Sequence, residues 1–254
     1  MNIKTILIVL GEPNSTFSEI LFKFFVSSRF KRLNKKIVLI GSYKLLKDQM
    51  KILNYKINLH KISENKYSLT NRVNFINVDY EFSNAFTKIS ERSKKYIENC
   101  FNLSLKIIKK NRNIVLINGP VSKKHFLKKR FPGITEYISN KTKTKEPVML
   151  IYNKVLSVSP LTTHIPIKNV SKLIKKRKII NSALKIDSFY KSKLGKKPTI
   201  AILGLNPHCE SIARISEEER EIIPAVKILL KKKNKNNWSY CSRYFFFKKK
   251  YKKI

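Results

Sequence analysis

The stretch Ile200-Ala201-Ile202-Leu203-Gly204-Leu205-Asn206-Pro207-His208-Cys209-Glu210 decides how this chain is read. An apolar run stops at Gly204, and polar, ligand-capable groups then crowd into a few positions. A short buried strand that delivers a working loop has this form. A second stretch repeats it: Val155 to Val158, then Pro160-Leu161-Thr162-Thr163-His164-Ile165-Pro166. Each ends in one His close to a Pro.

Working outward, the same grammar recurs. Thr5 to Leu10, Lys36 to Ile40, Val73 to Val78 and Ile114 to Ile117 are short, β-branched, apolar runs that read as strands. Helical patterns lie between them. Ile20, Leu21, Phe24 and Phe25 share one face. Leu45, Leu46, Met50 and Leu53 form a stripe from Lys44 to Leu53. Asn84 to Lys110 is the longest pattern, with Cys100 on its apolar face as a packed thiol. Val148 to Tyr152 and Val155 to Val158 read as a hairpin around Asn153-Lys154, and Ile167 to Ile186 as mainly helical. Ser216 can cap a further helix that carries Glu217, Glu218 and Glu219 in its first turn, with an irregularity at Pro224. Alternating strands and helices imply an α/β fold with a largely parallel sheet. Ligands of such sheets bind beyond the carboxyl ends of the strands, so the strand-end loops are where chemistry is expected.

Composition narrows the function classes. The chain has 254 residues, 42% of them hydrophobic, which allows one large domain or two modest ones. Residues 1–230 read as the α/β region, in two interleaved subdomains, and 231–254 as a lysine- and aromatic-rich tail. No apolar run reaches the ~18–20 residues that a membrane span needs. Cys100, Cys209 and Cys241 are odd in number and far apart, so no disulfide framework is expected, and a reducing cytoplasm is. Lys and Arg number 55 against 16 Asp and Glu, a net charge of +39. Such a charge suits a nucleic-acid binder or basic scaffold. It also suits the Lys, Asn and Ile enrichment of a very AT-rich coding sequence, which accounts better for most of the chain because the basic residues are dispersed. Only the tail from Lys231 interleaves them with aromatics.

The six Gly build neither a Gly-x-Gly-x-x-Gly fingerprint nor a Walker loop. Of four His, His60 and His125 lie in lysine-rich contexts that suit a surface. His164 and His208 follow buried-looking strands, and each reads either as a structural imidazole or as a metal ligand. Two ligands are too few for a metal, so a third would have to come from elsewhere.

Five stretches together resemble the 4-hydroxythreonine-4-phosphate dehydrogenase family of vitamin B6 biosynthesis. They run in the family's order: Gly11-Glu12-Pro13; Asn118-Gly119-Pro120-Val121-Ser122-Lys123; Gly133-Ile134-Thr135-Glu136; Thr162-Thr163-His164-Ile165-Pro166; and Gly204-Leu205-Asn206-Pro207-His208. The resemblance implies a two-domain α/β/α fold like that of isocitrate and isopropylmalate dehydrogenases, a cytoplasmic homodimer, NAD or NADP, and a divalent metal such as Zn, Mg or Co. It implies oxidation of 4-phosphooxy-L-threonine, a phosphorylated hydroxy-amino acid, to 2-amino-3-oxo-4-phosphooxybutanoate, which loses CO2 to give 3-amino-2-oxopropyl phosphate. It places His164 and His208 on two of three metal ligands and Thr135 on a substrate-binding position, and leaves the cofactor contacts unassigned. Ile134 stands where the family has a substrate-site His. The third metal His and the C-terminal Lys, Asn and Arg substrate contacts have no counterpart before Ile254, so the resemblance implies a C-terminally shortened member, active or a remnant.

Overall fold

The computed structural model describes residues 4–64, 73–111, 113–128, 130–205, 216–231 and 238–240. The chain divides into two compact units, residues 1–143 and 144–254.

The first unit is built on five parallel strands, β1 (Thr5–Val9), β2 (Lys36–Gly41), β3 (His60–Lys61), β4 (Val73–Asn77) and β5 (Ile114–Asn118), in the order β3-β4-β2-β1-β5. The register runs from Thr5 opposite Lys36 to Val9 opposite Ile40, and from Thr5 opposite Ile114 to Val9 opposite Asn118. Two-residue alternation sends the strands' side chains to two cores. Leu7, Val9, Val38, Ile40 and Ile76 face α4 (Lys94–Lys110), which contributes Tyr96, Ile97, Cys100, Phe101 and Ile107. Ile8, Ile37, Leu39, Val73 and Phe75 face α1 (Phe17–Val26), α2 (Ser28–Arg32) and α3 (Tyr43–Ile52) through Leu21, Phe22, Phe25, Phe30, Leu46 and Met50. The expected α/β class with helices on both sides of a parallel sheet is therefore observed.

Several expected elements differ in detail. The pattern from Asn84 to Lys110 is helical only from a 3-10 turn at Glu91–Ser93 onward. Its apolar face begins at Tyr96, and Phe86 and Ile89 are exposed, so nothing holds the earlier residues in a helix. On α1, Leu21 and Phe25 of the expected stripe are buried, whereas Ile20 is 59% exposed and Phe22, outside the stripe, is buried. His60 and His125 are half-buried rather than on the open surface.

In the second unit, α6 (Val170–Leu173) and α7 (Lys176–Leu194) replace the single expected helix, with a break at Ile174-Lys175. A π turn at Glu218–Ile222 leads into α8 (Ile223–Lys231), which starts one residue before Pro224. Proline donates no N–H and its ring crowds the carbonyl four residues back, so a widened turn accommodates it. β6 (Ile200–Ile202) pairs in parallel with β7 (Trp238–Tyr240). Ile174, Ile179, Ile222, Ala225 and Val226 form the core, with Leu161 and Ile202 packed against it. The hairpin expected at 148–158 is reduced to one antiparallel bridge, Ile151 to Val158. Among the described residues no helix is long and apolar enough to cross a membrane.

Candidate functional site

In the first unit the chain runs outward from β1 to β2 and β4 on one side and returns to place β5 on the other. The strand order therefore reverses beside β1, and the loops after β1 and β5 flank the position where open α/β sheets bind ligands. These loops are Gly11-Glu12-Pro13 and Gly119-Pro120, and they nearly touch. The Gly119 N–H donates to Val9 O at 2.7 Å and the Glu12 N–H to Pro120 O at 2.8 Å. Gly11 has φ +73°, and a Cβ there would lie 2.4 Å from Pro120 O. Only glycine permits both that conformation and that approach.

The turn carries a carboxylate into the interior. Glu12 is 3% exposed. The Ser93 hydroxyl donates to its Oε2 at 2.9 Å, and the Asn14 N–H points at Oε1 from 3.4 Å. Burial raises the Glu12 pKa above the ordinary carboxylate value, and the Ser93 and Asn14 contacts offset part of that rise. Tyr96 lines the same crevice, and its hydroxyl accepts the Ser42 N–H at 3.0 Å. Cys100, on the next turn of α4, is fully buried, and burial pushes its thiol up to about 12. That thiol is a packing group, not a nucleophile.

Thr135 lies half-buried in the first turn of α5 (Ile134–Lys141). Gly133 precedes the helix and has no side chain with which to cap it. Tyr137 anchors the helix, its ring packed on Phe126, Phe101 and Phe131 at 5.0, 5.4 and 5.5 Å between centroids. Ile134 packs against the same core. That contact explains how an apolar residue is accommodated there, but it supplies no polar group to a substrate. Lys123, at the start of the π turn Lys123–Leu127, is exposed.

His164 belongs to the second unit. It is exposed and has φ +54°, a left-handed conformation uncommon outside glycine. Three residues earlier, Leu161 packs on the apolar cluster that also receives Ile202. Both His-bearing segments therefore start from one core. His208, with Cys209, lies outside the described residues, as does Cys241. Glu218, missed as a contributor at the sequence level, is 2% exposed, and its Oε1 accepts the Leu205 N–H at 2.9 Å, which fixes the end of the β6 strand run. Neighbouring carboxylates act alike. The Ser171 hydroxyl donates to Glu217, the Lys176 N–H to Glu221, and Ser216 and Glu219 cap one another's backbone. The run of glutamates was the available signal, since a chain this basic has few carboxylates to place.

Among the described residues no group of three or more His, Cys, Asp or Glu side chains could hold a metal ion. His164 fits as one imidazole donor, and the described residues do not complete the donor set. Thr135 belongs to the first unit and His164 to the second.

The family model described as pyridoxal phosphate biosynthetic protein PdxA matches residues 33–254. The 4-hydroxythreonine-4-phosphate dehydrogenase of Sulfurihydrogenibium sp. (strain YO3AOP1) is 35% identical over 229 residues, covering 87% of this chain and 69% of that protein. That of Aquifex aeolicus is 30% identical over 228 residues, covering 88% and 70%. The fold is similar to those of the 4-hydroxythreonine-4-phosphate dehydrogenases from Burkholderia phymatum, at TM-score 0.76 and 19% identity, and Klebsiella pneumoniae, at 0.76 and 21%. These cover 94% and 93% of this chain and 74% of each of those.

Proposed function

This chain belongs to the PdxA family of pyridoxal phosphate biosynthetic proteins, whose named relatives are oxidoreductases, and on that premise we propose that it oxidises 4-phosphooxy-L-threonine with NAD or NADP. In this reading the C3 hydroxyl gives up its proton, hydride passes from C3 to the nicotinamide, and the resulting 2-amino-3-oxo-4-phosphooxybutanoate loses CO2 to leave 3-amino-2-oxopropyl phosphate. The observation that carries it is the common origin of the two His-bearing segments, with Leu161 and Ile202 on one core. His164 and His208 would hold a divalent ion, zinc, magnesium or cobalt, which when bound polarises the substrate hydroxyl. His164 keeps its imidazole exposed on a left-handed backbone, a local cost that functional positions tolerate. Thr135 would offer its hydroxyl to the substrate. The uncapped first turn of α5 would offer backbone N–H groups to an anionic part of it.

The same reading includes a homodimer. In the segment from Ile151 to Val158, Val155 is 96% exposed and Leu156 72%, and a second copy covering these side chains would remove that apolar surface from water. Sedimentation of the purified chain at micromolar concentration should give twice the monomer mass, and Val155→Glu with Leu156→Glu should return it to a monomer.

Reduction of NAD or NADP in the presence of 4-phosphooxy-L-threonine and each metal in turn tests the activity. Turnover should disappear on chelation, return with metal, and fall at least a hundredfold in His164→Ala and in His208→Ala. Absence of turnover with every metal would overturn the reading and leave a remnant that keeps the fold without the chemistry.

A further inference from the structure

A groove at the end of the sheet opposite the strand-end loops is lined by Lys4, Lys31, Arg32, Lys35 and Lys36, together with Leu33 and Asn34. Among the described residues no carboxylate lines it. The sequence around it is equally one-sided: residues 20–47 contain no Asp or Glu, and eight Lys or Arg. Topology gathers the charges. Thr5 pairs with Lys36, and the Lys36 N–H donates to Lys4 O at 3.2 Å, so Lys4 and Lys36 begin neighbouring strands, about 5 Å apart. Lys31 and Arg32 close α2, and Lys35 stands in the turn between that helix and β2.

We propose that this groove binds the phosphate backbone of a nucleic-acid strand without regard to sequence. Basic residues in the last turn of α2 complement the helix's carbonyl end, but five cations around one concavity exceed what a five-residue helix requires. They also exceed what a single phosphate group neutralises, whereas a chain of phosphates matches them. Like charges around a concave surface reinforce one another's field. Among the described residues no aromatic side chain lines the groove, so bases have no stacking platform there, and the contact is with the backbone alone.

Fluorescence anisotropy of a labelled 20-nucleotide poly(U) strand, titrated with the full chain at several NaCl concentrations, tests the proposal. The wild type should bind at 0.1 M NaCl. Lys31→Gln, Arg32→Gln and Lys35→Gln together should weaken binding at least tenfold. They should also reduce the slope of log K against log salt by about 2, at ~0.7 for each phosphate that is no longer neutralised. Lys154→Gln, Lys168→Gln and Lys197→Gln remove the same charge from exposed positions of the second unit and should change affinity less than twofold. The charge-keeping pair Lys31→Arg and Lys35→Arg should bind as the wild type does. Equal losses in the two triple variants would overturn the proposal in favour of a general effect of net charge. So would absence of wild-type binding at 0.1 M NaCl, loss of binding in the Arg pair, or loss on deleting 232–254 while the groove variant binds normally.

Discussion

Glu12 shows how a single residue depends on contacts remote in sequence. Its carboxyl is buried under a turn that exists because Gly11 and Gly119 let two strand ends meet, and its partner Ser93 is 81 residues away. The pattern Gly-Glu-Pro announces a turn but not that burial. Because burial raises the folded pKa above 4.5, the folded state holds this proton more tightly than the unfolded chain does. Its contribution to stability is therefore full below the unfolded value and is lost as pH rises through the folded one. Glu12→Gln keeps an acceptor for Ser93 and cannot ionise. Urea unfolding at pH 4, 5, 6 and 7 should show the variant gaining on the wild type as pH rises, whereas parallel profiles would contradict a raised pKa. His164 is the converse case. Its position after an apolar run was readable, but its left-handed φ was not, because a single backbone dihedral leaves no mark on side-chain pattern.

At the level of elements, the strands of the first unit were legible because their alternation serves two cores, one for each face. Helix limits were less so. The pattern was read from Asn84 although α4 starts at Lys94, and Ser93 gives its hydroxyl to Glu12 and to Ser90 O instead of capping the helix. The Ser216–Glu219 box was readable since both partners lie on one turn, and a cap of this kind contributes about 1 kcal/mol. Two glycines separate conformational cost from steric cost. Gly195 ends α7 with φ +65°, and a Cβ there would meet nothing within 4 Å, whereas Gly11 combines φ +73° with the Pro120 carbonyl at 2.4 Å. Gly195→Ala should cost about 1 kcal/mol and Gly11→Ala about 3 kcal/mol or more, since a backbone carbonyl held in a sheet-end turn cannot step aside. Urea midpoints of the two variants check the ordering, and equal losses would mean that the β1 and β5 loops part without resistance.

For the whole molecule, the family was legible from five short stretches in order, because each stands where a strand end or helix start requires particular residues. The second unit was harder to read: its strands are short and its exposed apolar segment from Ile151 to Val158 does not declare its cover. Net charge of +39 acts on all of it at once. Self-repulsion opposes compaction, while ion pairs such as Lys23–Glu19, Lys106–Glu64 and Lys175–Glu221 favour it, and salt weakens both. The balance follows from numbers and exposure. Sixteen acidic residues can pair at most sixteen of 55 cations, and these pairs lie where water already screens them. The unmatched cations repel over a range set by the Debye length, about 10 Å at 0.1 M salt and about 3 Å at 1 M. Added salt should therefore remove more repulsion than attraction. The thermal midpoint followed by circular dichroism should rise by several degrees between about 0.02 and 0.5 M NaCl. A falling midpoint would show that the carboxylate contacts of Glu217, Glu218 and Glu221, and not relief of repulsion, dominate the response to salt.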